Sequence, residues 1–316
     1  MISLENEMVH KLKGLNEELK KKYSLLDSLK TQDKKIILSE FGYFYQLSPL
    51  NTEELRKLEN SGGVFAVDGS TNKYGGAFPH YIQIFRGMAM KNNVDAIEKV
   101  EVYCPLMEDI DVFEERNTLD RILAKIEVLA ALEALKEHPS IIIMDGSLIR
   151  YEILCRDFWT KLKEEALKED IIILGIIEDI KTDIVYKNIK DNYSTEFFYD
   201  REFFFNSLEY KECFLPHIKD KGKDSYGFRS VFLRSSLQPS VIAVDALEEQ
   251  YNSLDFALRL ILSITDKKGR GIPFILDMVD LKARITNKKI KDLCQTHIGK
   301  NRFELLFHSQ RDKRGM

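Results

Sequence analysis

The chain has 316 residues, 44% hydrophobic and 31% charged, with a formal net charge of −4. That length supports a sizeable core in one large domain or two medium ones, and the charge neither announces nucleic-acid binding nor excludes local basic patches. No apolar run approaches the ~20 residues of a membrane span, and the first residues, "MISLENEMVHKLKGLNEELKKK", are too charged for a signal peptide. Cys104, Cys155, Cys213 and Cys294 show neither CxxC pairing nor zinc-like spacing, so reduced thiols and a cytoplasmic location are expected, with no membrane partner.

Residues 1–60 read as a charged helical arm. Leu12, Leu15 and Leu19, then Leu25, Leu26 and Leu29, form an amphipathic stripe without a long heptad register, suited to packing or to a partner. Asn51 or Thr52 would cap a short helix that stops at Gly62-Gly63. Residues 61–316 read as one α/β domain. Strands are expected at 63–68, 80–90 and 99–106, with "KNNVD" as turn chemistry between the last two. A long helix over 114–137 carries Leu119, Leu123, Ile126, Ala130 and Ala134 on one stripe. "SIIIMD" (140–145) is apolar enough for a strand covered on both faces; a helix near 150–169 and a strand in "DIIILGII" (170–177) follow.

Three strands in meander, helix, strand, helix, strand is the ribonuclease H-like order: a mixed sheet flanked by helices. Residues 190–240 break it. They are crowded with aromatics and include the polar, basic "IKDKGKDSYGFRS", and so read as an insertion. The aromatics suit a core or a dimer contact better than a base-stacking platform. Beyond them come strand material in "FLRSSLQPSVIAVDAL", a helix over 246–265, and a turn and helix in "GRGIPFILDMVDLKARIT".

Two stretches carry chemistry. "FAVDGS" and "IIIMDGS" each deliver an aspartate, Asp68 and Asp145, to the carboxyl end of an expected strand, where open α/β sheets assemble their sites. Gly69 and Gly146 would each let the chain turn away sharply and leave the aspartate exposed. Neighbouring carboxylates repel unless a cation lies between them or one is protonated, and Mg²⁺ or Mn²⁺ suits hard oxygen ligands. Asp-Gly is also ordinary turn chemistry, but its recurrence in this strand order favours a site. Glu127 lies in the helix sector facing the sheet, where a glutamate needs a partner unless it snorkels to water; Glu133, on the other margin, is the weaker alternative. Asp280 is a fourth acidic candidate. Ser70 and Ser147 could bond a phosphate or, equally, their own turns. Lys282, Arg284, Lys288, Lys289 and Lys291, with the basic residues of 219–234, are candidates for backbone phosphates, although such a run is more often a solvated helix face.

Together, "FAVDGSTN", the Glu127 helix, "IIIMDGSL" and "GIPFILDMVDLKARI" resemble the NurA nuclease family over roughly residues 60–290. The resemblance implies a ribonuclease H-like, Mn²⁺- or Mg²⁺-dependent deoxyribonuclease with 5′–3′ exonuclease and single-strand endonuclease activity. It would act on single-stranded DNA and duplex ends in end resection and double-strand break repair, as a homodimer, with a HerA-like hexameric helicase. Asp68, Glu127 and Asp145 match the family's acidic metal ligands. Asp280 stands at the family's histidine and Ile272 at its tyrosine, and Lys181 would substitute in the family's lysine-serine pattern. Two other readings carry different expectations. "VDGSTN" is similar to the phosphate loop of actin-like ATPases, which share this core but need a second glycine-rich loop that this sequence lacks. A decayed nuclease core could instead serve as an adaptor of a ring-shaped translocase.

Overall fold

The apolar runs at 141–144 and 172–177 lie at the centre of one sheet because both of their faces are covered. The structure is a computed structural model that describes residues 2–91, 96–108, 111–193, 198–217 and 222–307. Its strands are β1 (Gly42–Gln46), β2 (Val64–Gly75), β3 (Tyr81–Met90), β4 (Ile97–Tyr103), β5 (Ile141–Asp145), β6 (Ile172–Ile177), β7 (Glu212–Pro216), β8 (Phe228–Leu233) and β9 (Ile242–Leu247). They form a nine-stranded sheet in the order β1-β7-β8-β9-β6-β5-β2-β3-β4. β2, β3 and β4 are an antiparallel meander, β5 and β6 continue parallel from β2, and β9 returns antiparallel. This is the ribonuclease H-like order expected, extended on the β9 side.

Helices close both faces. Leu254–Ser263 and Phe274–Ala283 cover one, burying Leu258, Leu276 and Val279 on Ala66, Ile143 and Val244. Val112–Ala134, Leu148–Leu154 and Arg156–Lys168 cover the other, burying Ala124, Val128 and Trp159 against Val67, Ile142 and Ile173. The helix expected at 150–169 is thus two, broken where Cys155 leaves helical geometry.

Two differences from the sequence reading concern long-range pairing. Within the expected helical arm, Gly42–Gln46 is an edge strand that pairs with β7. The 190–240 segment likewise supplies β7 and β8, which join β1 to β9 in the same sheet. Several of its aromatics are core: Phe204 stacks on Phe232 at 4.2 Å between ring centroids, and Phe203 and Phe214 are buried beside them, while Tyr199, Phe205 and Tyr226 are exposed. The β1–β7 ladder joins partners as far apart in the chain as Gly42 and Pro216, which local pattern cannot expose; β7 and β8 pair with sequence neighbours but are obscured by the aromatic and polar crowding of their segment. Of the two cap candidates, Asn51 rather than Thr52 is the N-cap of Thr52–Asn60; its side chain accepts from the Glu53 and Glu54 amides, while Glu54 accepts from the Asn51 amide at 2.7 Å.

Candidate active site

Register brings the two aspartates together. β2 and β5 run parallel with Val67 opposite Met144, so Asp68 and Asp145 stand abreast one residue further on, with the ~4.8 Å strand spacing between their backbones. Asp145 ends β5, as expected. Gly146 then adopts a positive φ of 101° that favours glycine, and the chain turns into Leu148–Leu154.

Asp68 does not end its strand. The sharp turn expected at Gly69 is absent, and β2 continues to Gly75, paired with β3 throughout. Gly69 serves another purpose. It faces Gly87 across the ladder, and a Cβ at either position would collide with the helix Val112–Ala134: at Gly69 with the Glu127 side chain, at Gly87 with the Ile126 carbonyl. Two opposed glycines thus make a trough in which the helix lies close enough to set Glu127 against Gly69, where its charge acts on Asp68.

Glu127 is 2% exposed and has a partner that sequence reasoning missed. Arg150, from the helix after the Gly146 turn, donates to both of its carboxylate oxygens, at 2.8 and 3.4 Å, and lies over the Tyr151 ring. No local pattern marks that arginine; the turn alone brings it there. Glu133, the alternative, pairs instead with Lys99 and Lys136.

Asp280 lies on Phe274–Ala283, the helix over the face to which Asp68 and Asp145 point. Partly exposed, it pairs with Arg284 at 2.8 Å, so that arginine is engaged on an acid rather than free for a phosphate. The four acids act on one another. Asp68, 8% exposed, is pushed up to about 7 by burial and then by the charges of Asp145, Glu127 and Asp280, with only the Gly69 amide opposing. Asp145 reaches solvent but is crowded by protein; burial and Asp280 raise its pKa, while Arg270 and Arg150 hold it down. Burial raises Glu127 too, against Arg150.

Asp68 is a buried carboxylate beside Asp145, with no lysine or arginine paired to it among the described residues, a donor chemistry that suits a cation. The oxygens are hard, and Asp68 and Asp145 fit a divalent ion. Glu127, held by Arg150, and Asp280, held by Arg284, stand at the margin. Among the described residues no three His, Cys, Asp or Glu side chains converge tightly enough to enclose an ion. The structure therefore brings together two donors and two flanking acids rather than a closed shell.

Ser70, half-buried, lies two residues past Asp68 on the same face. Ser147 turns away: its hydroxyl donates to Asp245 at 2.6 Å, so it neither meets a phosphate nor bonds its own turn. Lys181 is exposed in the link after β6, and Lys282, Lys288, Lys289 and Lys291 are exposed along the last helices. The described cations of the 219–234 segment are committed elsewhere. Lys223 is buried on Asp245, Arg229 pairs with Asp224 and Glu248, and Arg234 donates to the Leu208, Leu237 and Gln238 carbonyls. Lys219 and Lys221 lie outside the described residues. Ile272 is buried in the apolar core, so the family's tyrosine hydroxyl has no counterpart there.

Residues 62–285 match the family model of the NurA domain. A search of curated proteins finds no match. Among solved structures, the chain is similar to endonuclease V from Bacillus subtilis, at 13% identity and a TM-score of 0.39, over 86% of this chain and 96% of that one. Human ENDOV is similar at 14% identity and a TM-score of 0.36, over 86% and 99%. The C-terminal lobe of a budding yeast Argonaute is similar at 10% identity and a TM-score of 0.37, over 82% and 55%. These superpositions are too loose to carry an argument about the site.

Proposed function

Since the chain belongs to the NurA family and is a nuclease, we propose that it hydrolyses DNA phosphodiesters with Mn²⁺ or Mg²⁺, which Asp68 and Asp145 would hold. The observation that carries this reading is the register that sets the two carboxylates abreast, with Asp68 pushed up to about 7 by burial and by the charges of Asp145 and Glu127. A divalent ion bound there would polarise the phosphoryl oxygen and acidify a water. Asp68 and Asp145 would hold it, and Asp280 and Glu127 would shape the field around it. Arg150 fixes the rotamer of Glu127 and offers the site a cation of its own. Lys282, Lys288, Lys289 and Lys291 are the basic residues available to a DNA backbone. With Ile272 apolar, orienting the strand falls to these lysines and to Ser70.

The finer reading follows the family: 5′–3′ and single-strand cleavage in end resection, a HerA-like hexameric partner, a homodimer and a cytoplasmic setting. One feature supports a partner. The helix Ile2–Lys22 leaves Met8, Leu12, Leu15 and Leu19 exposed on one side.

The test is cleavage of linear single- and double-stranded DNA with Mn²⁺. Asp68→Ala and Asp145→Ala should each lose more than ~100-fold in rate. Full activity in either variant would sink the metal site. Nucleotide binding without cleavage by the wild type would point to the ATPase reading, and partner binding without cleavage to the adaptor.

A further inference from the structure

We propose that Asp245 is a positioning residue of this nuclease: from β9, two strands away, it fixes the turn that aims Asp145. The inference rests on the Asp145 site above and adds to it a residue outside the acidic group. Asp245 is 0% exposed, an acid in the middle of the apolar run "VIAVDAL". A carboxylate in that setting needs every lone pair occupied. Four groups supply the donors. The Lys223 ammonium reaches both oxygens at 2.7 and 2.9 Å, and Ser230, its cross-strand neighbour on β8, donates at 2.6 Å. The other two come from the active-site turn: the Ser147 hydroxyl at 2.6 Å and the Leu148 amide at 3.2 Å.

The turn must cross β6 to get there, and the sheet is built to allow it. Gly175 of β6 is paired with Asp245 in the ladder. A Cβ at Gly175 would stand 2.6 Å from the Gly146 carbonyl oxygen and 3.0 Å from Leu148 Cγ. Gly146 also donates its amide to the Ile176 carbonyl at 2.7 Å. Gly146, Ser147 and Leu148 are therefore held at three successive points immediately after Asp145. The helix Leu148–Leu154 receives its N-terminal cap from a distant strand, as Ser147 makes no side-chain cap of its own. That helix carries Arg150, so the same anchor sets the partner of Glu127.

Lys223 and Asp245 pair in near-complete burial, so removing one partner strands the other. The test therefore uses the hydroxyls. Ser147→Ala and Ser230→Ala each delete one donor to the same carboxylate, and only Ser147 belongs to the Asp145 turn. On the full chain, Ser147→Ala should speed amide exchange at Leu148 and lower kcat for Mn²⁺-dependent cleavage of single-stranded DNA about tenfold or more, with KM little changed. Ser147→Thr should restore both. Ser230→Ala should leave Leu148 exchange and kcat near wild type despite a similar loss of stability. Unchanged Leu148 exchange in Ser147→Ala, or equal effects from the two alanines, would overturn the proposal. If the wild type cleaves nothing, the nuclease reading fails, and the exchange comparison still decides the role of Asp245.

Discussion

Asp68 is a buried carboxylate surrounded by like charges, and that sets how the protein responds to pH. Its folded-state pKa, about 7, lies above the ordinary aspartate value of 3.8, so the folded chain binds a proton that the unfolded chain releases between those values. The stability this contributes is complete below pH ~4 and is lost as the pH rises through ~7. In metal-free protein Asp68→Asn should therefore be more stable than wild type at pH 8, by at most about 4 kcal/mol, with the gap closing towards pH 4. Denaturant titrations at the two pH values measure this, and equal gaps would show that Asp68 carries no such stress. Gly69 belongs to the same scale. A methyl group there meets the Glu127 side chain, so Gly69→Ala should cost about 1–3 kcal/mol and reduce cleavage by displacing Glu127. The aspartate itself was legible as an acid closing an apolar run. The purpose of the glycine was not, because a glycine that makes a turn and one that makes room for a helix are written with the same letter.

At the scale of elements, the helix Val112–Ala134 lies in its glycine trough, and the ion pair Arg150–Glu127 ties it to the helix after Asp145. Removing the arginine strands a buried carboxylate. Arg150→Met should destabilise the fold by about 3–5 kcal/mol, whereas the double variant Glu127→Gln/Arg150→Met should recover much of that loss. A thermodynamic cycle by urea unfolding checks this, and strictly additive effects would show that the pair is not coupled. The helix, its sheet-facing stripe and the inward position of Glu127 were readable from a 3.6-residue period. Arg150 was not, since its approach depends on the Gly146 turn passing over β6. Asp245 did leave a signal, an acid inside "VIAVDAL", of the kind that marked Asp68.

At the scale of the molecule, one sheet joins segments from Gly42 to Leu247, and the helix Ile2–Lys22 stands apart from it with every described side chain exposed. Deleting residues 2–22 should leave the melting temperature nearly unchanged while weakening any partner that uses Met8, Leu12, Leu15 and Leu19; a large drop would mean the arm is part of the core. A divalent ion that binds only the folded site should stabilise the whole domain by mass action, about 2.7 kcal/mol at a hundredfold excess over its Kd. A chelator should therefore lower the melting temperature of the wild type at pH 8 and leave that of Asp145→Ala unmoved. An equal drop in both would place the ion elsewhere.

The amino-acid sequence by itself determined the order of the central elements, the apolar strands that must lie mid-sheet, and the aspartates at 68 and 145. Those properties follow from residue type and period over a few neighbouring positions. Tertiary structure alone decided that β2 runs on past Asp68, that β1, β7 and β8 complete the sheet, and that Arg150 and Asp245 serve the site. The β1–β7 pairing, the Asp245 anchor and the room that Gly69 leaves for Glu127 depend on contacts between residues far apart in the chain, where register and the presence or absence of a Cβ, rather than local pattern, select the partner.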